Sequence, residues 1–250
     1  MNLFYLPKIA NGHTHLDAEE SRHVVKVLRK VAGDELTITD GNGFFYQARI
    51  TIADAKKCAF EIVSKEEFPK RNYCIHIAIA PTKNIDRTEW FVEKAVEIGI
   101  DKITFFQSKT SERKTINLER IQKIAISAMK QSQQAWLPTI SGMIPFKEIV
   151  KEQASQKFIA HVDFQNKIHL KNVVKPSQSY LILIGPEGDF ADDEVIFANE
   201  HQFIKVSFGA NRLRTETAGL VACQILNLLN DWTKASEAWS MSDSFCSLVC

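Results

Sequence analysis

Five consecutive residues, Tyr180-Leu-Ile-Leu-Ile184, are apolar without a break and run directly into Gly185-Pro-Glu-Gly188. A strand that is apolar on both faces must be covered on both faces, which is the signature of a parallel sheet sandwiched between helices. Its neighbours fit that reading. Strands are expected at Ile75–Ile79, Ile103–Phe106, Phe158–Val162 and Ile204–Phe208. Helices are expected between them at Asp86–Ile98, Leu118–Met129, Phe146–Val150, Asp192–His201 and Thr215–Trp232. Strands alternating with helices give an α/β domain over residues 73–232.

The first part of the chain has a different rhythm. Asp17 with Glu20 reads as a capped helix start, continued through Arg22–Leu28. Strands follow at Leu36–Thr39, Phe44–Ile52 and Cys58–Val63, with Asp40-Gly-Asn-Gly43 as a turn. Residues 1–70 therefore form a small β-rich module, and Glu66–Asn72 reads as a linker. Residues 233–250 are serine-rich, lack periodicity and read as a disordered tail.

Composition narrows the class. The 250 residues are 45% hydrophobic and 24% charged, with 16 Phe, enough for a sizeable core. A net charge of +1 excludes a polycation. No apolar run is long enough to cross a bilayer, and Met1–Gly12 has no signal-peptide layout, so a cytoplasmic protein without membrane contact is expected. Five cysteines with no C-x-x-C pair argue against a disulfide framework or a zinc site.

Four stretches carry candidate chemistry. Leu181–Asp189 places a glycine-bounded turn at the carboxyl end of a strand, where α/β sheets bind ligands. Its acidic sequel, Asp192 and Asp193, disfavours a phosphate, and no G-x-G-x-x-G or P-loop pattern occurs, so a cationic or zwitterionic ligand with a purine fits better. Val206–Ala218 sets Arg212 and Arg214 before a helix starting Thr215-Glu-Thr217, able to hold a phosphate or a developing oxyanion. Phe105–Gln134 carries six basic against two acidic residues, including Lys109, Lys114 and Lys130, and suits an RNA groove. Arg22, Lys26 and Arg29 share a side of the first helix and suit RNA docking. Each of the four has a plain structural counterpart: a strand–turn–helix connection, a capped helix, or a solvated basic face.

Taken in order, these motifs resemble the RsmE family of RNA methyltransferases. They are Glu89–Lys94–Glu97-Ile-Gly99, Thr110-Ser-Glu-Arg-Lys114, Gln131-Ser132 with Leu137-Pro138, Ile184-Gly-Pro-Glu-Gly188 and Leu213-Arg-Thr-Glu-Thr-Ala218. His23–Arg29, Gly33-Asp-Glu35 and Asp40-Gly41 extend the resemblance to about residues 1–232. The resemblance implies a PUA-like β-barrel followed by a SPOUT domain with a parallel sheet and a C-terminal trefoil knot. It implies S-adenosylmethionine as cofactor, no metal, a homodimer, and methylation of N3 of a uridine in 16S ribosomal RNA on the small ribosomal subunit.

Carried over by motif, the cofactor residues are Leu183, Ile184, Gly185, Pro186, Glu187, Gly188, Phe208, Gly209 and Leu213. Arg214 is expected to stabilise charge on the uracil oxygens. Arg113 is a second candidate or a phosphate anchor, and Glu187 or Glu216 orients an arginine or acts as base. Two positions depart from the family pattern: Asp189 stands where glycine is usual, and Gln134 where arginine is. The competing readings are a SPOUT methyltransferase acting on another RNA and a non-catalytic RNA-binding protein.

Overall fold

The structure is a computed structural model describing residues 2–161 and 168–240. It divides into two compact units: Met1–Arg71 with Lys123–Leu137, and Asn72–Gln122 with Pro138–Cys250.

The first unit is built on a four-stranded sheet in the order β1-β2-β3-β4, comprising β1 (Leu3–Tyr5), β2 (Glu35–Thr39), β3 (Phe44–Ile52) and β4 (Ala59–Glu67). β1 runs parallel to β2, and the other pairs are antiparallel. Alternation places Leu36, Ile38, Tyr46, Ala48, Ile50 and Phe60 in one core with Phe4, Leu16 and Val24. β4 runs past the expected end at Val63 and takes in Glu66 and Glu67 from the expected linker. Pairing of Phe44 with Glu67 and Phe45 with Glu66 supplies the missing backbone partners, and the Lys65 ammonium lies 3.6 Å from the Phe44 ring centre.

α1 (Ala18–Arg22) starts as the sequence indicates: the Glu20 amide donates to the Asp17 carboxylate at 2.8 Å. The helix then widens into a π-turn at His23–Val27 and stops at Leu28, whose amide donates to the His23 carbonyl at 2.9 Å. β1 was not expected, because three residues are too few for a period to show.

The second unit holds a six-stranded, wholly parallel sheet in the order β10-β8-β9-β5-β6-β7. Its strands are β5 (Cys74–Ile79), β6 (Lys102–Gln107), β7 (Thr139–Pro145), β8 (Gln156–Ala160), β9 (Ser179–Ile184) and β10 (Ile204–Val206). The apolar run at Tyr180–Ile184 is the buried interior of β9. β7 was also not expected: Thr139, Ser141 and Gly142 blur its alternation at the sheet edge.

The helices are α2 (Ile85–Ile98), α3 (Leu118–Gln131), α4 (Phe146–Ile149), α5 (Asp192–Glu200) and α6 (Thr215–Ser240). α2 is capped by Asn84, whose side chain accepts from the Asp86 amide at 3.0 Å, and ends at Gly99 with φ 105°. The α6 backbone continues to Ser240, beyond the expected end at Trp232; the rest of the expected tail, 241–250, lies outside the described residues. Val162, the expected end of β8, lies outside them too.

One feature of the core positions the site. Phe190, just beyond the turn that follows β9, is 5% exposed and packs against Phe106 and Phe146 with ring centres 6.1 and 5.8 Å away. Burying such a ring stabilises by about 2–3 kcal/mol and anchors the turn. Its edge lies over Gly185, where a Cβ would come within 2.9 Å of the ring, so the turn needs glycine at that position.

Candidate active site

A cavity of about 670 Å³ opens at the carboxyl ends of β8, β9 and β10. The turn after β9 forms one side and the Val206–Thr215 segment another. This is where open α/β sheets bind ligands.

The turn after β9 is tied down from several directions. The Asp189 amide donates to the Pro186 carbonyl at 2.9 Å, and the Thr110 hydroxyl donates to the Asp189 carbonyl. The Thr215 hydroxyl donates to the Gly185 carbonyl at 3.0 Å. The Glu187 carboxylate accepts from the Lys83 amide at 3.0 Å, and Arg212 donates to the Glu187 carbonyl at 3.3 Å. Arg113 holds the neighbouring loop from behind, donating from Nε to the Thr82 carbonyl at 3.1 Å and from Nη2 to the Lys83 carbonyl at 2.7 Å.

Of the expected cofactor residues, Ile184, Gly185, Pro186, Glu187, Phe208, Gly209 and Leu213 line the cavity together. Leu183 does not; it is fully buried in the core. Gly188 does not either, and faces Thr110. Among the expected catalytic residues, Arg214 lines the cavity, whereas Arg113 and Glu216 do not. Glu216 is 6% exposed, one carboxylate oxygen lies 3.9 Å from Arg87 Nε, and the other has no hydrogen-bond partner among the described residues.

Sequence reasoning missed His161 and His169, which also line the cavity. Neither belongs to a motif, and the expected strand Phe158–Val162 hid His161, which the structure places just past the end of β8 at Ala160. Its Nδ1 lies 3.1 Å from the Asp189 carboxylate. Asp189 itself adopts φ 62°, a left-handed conformation that glycine enters most easily.

The acidic start of α5 is largely committed. Glu194 accepts from the Lys109 amide at 2.9 Å and from the Ala191 amide at 3.1 Å. Asp193 pairs with the Lys109 ammonium, and their hydrogen bond raises the lysine pKa and lowers that of the aspartate.

S-adenosylmethionine is compatible with this donor set. Ile184, Val206, Leu213 and Ala218 give apolar walls for an adenine, the two loops expose backbone polar groups, and Glu187 and Asp189 place carboxylates at the wall. Among the described residues, no group of three or more His, Cys, Asp or Glu side chains could hold a metal ion.

Residues 69–227 match the RNA methyltransferase domain family, and residues 16–63 match the RNA methyltransferase PUA domain. Ribosomal RNA small subunit methyltransferase E of Buchnera aphidicola is 30% identical over 225 residues, covering 85% of this chain and 87% of the relative. This chain belongs to the RsmE family. The Mesomycoplasma hyopneumoniae RsmE protein is 30% identical over 181 residues, covering 70% of this chain and 78% of its own.

Among solved structures, a probable rRNA-methyltransferase from Porphyromonas gingivalis superposes with a TM-score of 0.88 at 44% identity, covering 93% of this chain and all (100%) of the other. RsmE from Neisseria gonorrhoeae, solved bound to S-adenosyl methionine, gives 0.82 at 28% identity, covering 92% and 98%.

In this RsmE-family chain, the six residues expected to meet RNA differ in their commitments. Arg22, Lys26 and Arg29 are exposed and have no ion-pair partner among the described residues. Lys114 is exposed as well. Lys109 is paired with Asp193, and Lys130 with Glu20 on α1. A lysine already paired must exchange its partner to hold a phosphate, which lowers its net contribution.

Proposed function

We propose that this chain transfers a methyl group from S-adenosylmethionine to N3 of a uridine in 16S ribosomal RNA, acting as a homodimer on the assembled small ribosomal subunit in the cytoplasm. The observation that carries this reading is the cavity lined jointly by Ile184–Glu187 and Phe208–Arg214 in a member of the RsmE family. In this reading residues 1–70 are a PUA-like barrel that docks RNA, and residues 73–232 are a SPOUT domain whose two cavity loops belong to a C-terminal trefoil knot.

When bound, S-adenosylmethionine supplies an electrophilic methyl group on a sulfonium. The chain must admit an unstacked uracil beside it and hold N3 in line for attack. N3 passes its proton to a base, Glu187 or Glu216, before or as the N–C bond forms, and negative charge spreads onto the two carbonyl oxygens. Arg214, on the cavity wall, offsets that charge. Arg113 acts at one remove, fixing the Thr82–Lys83 loop that in turn holds Glu187. Of the two carboxylates considered as base or orienter, Glu187 lines the cavity and Glu216 sits behind it against Arg87. Arg22, Lys26, Arg29 and Lys114 supply phosphate contacts.

The test is to incubate the protein with methyl-labelled cofactor and small subunits that lack the modification, then map the labelled nucleoside. Label on uridine N3 is expected. Label on another atom or another RNA would sink the assignment of the target, and no label with intact cofactor binding would point to a non-catalytic RNA-binding protein.

A further inference from the structure

Asp189 occupies a position whose backbone favours glycine, yet its side chain is tightly held. One carboxylate oxygen accepts from the Phe190 amide at 2.8 Å and lies 3.1 Å from His161 Nδ1. The backbone on either side is clamped by Pro186 and Thr110. The side chain is 24% exposed, and the residue lines the cavity. This is a fixed negative charge in the wall, not a solvated carboxylate free to swing away.

The other side of the same cavity carries Arg212 and Arg214. Two guanidinium groups repel a cation and tolerate a neutral group. Methyl transfer turns a cation into a neutral molecule. The S–CH3 bond breaks with its electron pair left on sulfur, the N3–CH3 bond forms, and the N3 proton passes to a base and from there to solvent. The sulfonium becomes the thioether of S-adenosylhomocysteine. Apart from the transferred methyl group the cofactor and product are alike, so the charge on sulfur is what distinguishes them electrostatically.

We propose that Asp189 is a specificity-determining residue that makes the cavity favour the charged cofactor over its neutral product. Together with Glu187 it offsets the arginines, so the product is held no more tightly than the cofactor and leaves after each turnover. This rests on the reading of the cavity as an S-adenosylmethionine site. A single carboxylate charge in the wall of a partly wetted site is worth about three- to tenfold in affinity for a cation held in that site.

The experiment is calorimetric titration of the full chain, Asp189→Asn and Asp189→Gly, with S-adenosylmethionine and S-adenosylhomocysteine at about pH 8, where imidazole side chains are generally neutral. Asparagine keeps the size and removes the charge; glycine suits the backbone and guards against misfolding. Both variants are expected to raise Kd for S-adenosylmethionine about three- to tenfold while leaving that for S-adenosylhomocysteine within about twofold. Equal weakening of both ligands, or no change in either, overturns the inference and leaves the cofactor reading standing. Failure of the unaltered chain to bind either ligand overturns the cofactor reading itself, and the inference with it.

Discussion

The Thr215 hydroxyl donates to the Gly185 carbonyl at 3.0 Å, joining the first turn of α6 to the turn that leaves β9. Both residues line the cavity and both are buried, so one hydrogen bond holds two sides of the site in register. Thr215→Val keeps the shape but strands the carbonyl. It is expected to cost about 1–3 kcal/mol in urea unfolding and to raise the cofactor Kd measurably by calorimetry.

Arg214 stands on the wall while the cofactor loops are built largely without its side chain. Arg214→Ala is therefore expected to lower kcat by about 10²–10³ and to change the cofactor Kd by only a few fold. Single-turnover rates alongside calorimetry separate the two. Wild-type turnover in that variant removes Arg214 from the chemistry.

Gly43 has φ 94°, and a Cβ there would meet the Trp136 ring at 2.4 Å. The indole is pinned along that same edge, where its Nε1 donates to the Phe68 carbonyl at 2.9 Å. Gly43→Ala must displace the ring or bend the turn, so a loss of about 2–4 kcal/mol is expected. A shift in Trp emission should accompany the drop in Tm, since Trp136 is the ring displaced.

His76 is 6% exposed, with Nε2 bonded to the Thr104 hydroxyl at 2.9 Å. Burial, helped by the Lys102 ammonium, lowers its pKa to about 3. Glu152 lies 3.5 Å from Nδ1, but Lys102 pairs with the same carboxylate oxygen at 2.7 Å and blunts its pull on the ring. Below about pH 6.5 the unfolded chain takes up a proton that the folded chain refuses. Stability is thus expected to fall as pH drops from about 6.5 toward 3, by up to about 1.4 kcal/mol per unit. His76→Asn should flatten that slope in urea midpoints measured from about pH 7 to 4.5.

The site was legible where chemistry and secondary structure coincide in one stretch. The run Tyr180–Ile184 specifies a doubly covered strand by apolarity alone, and Gly185–Gly188 punctuates it, so strand, turn and cavity wall could be read together. His161 and His169 were not legible, because His161 reaches the cavity just past the end of β8 and His169 by its bridge to Ser207, both outside any motif. Nor could the sequence assign Lys123–Leu137 to the first unit. That assignment depends on pairings across about ninety residues, such as the Gly43 amide with the Ala135 carbonyl at 2.9 Å. No local period records a partner so distant.

That last segment has a consequence for synthesis. The strands of the first unit are complete by Glu67, but Ala135, Trp136 and Leu137 close against Gly41, Gly43 and Phe68 only after about seventy further residues have been made. A chain emerging from the ribosome must hold an uncapped N-terminal unit while β5, α2 and β6 are made. Folding of that unit is therefore timed by translation of the second, and an N-terminal fragment cut at Arg71 lacks the residues that seal it.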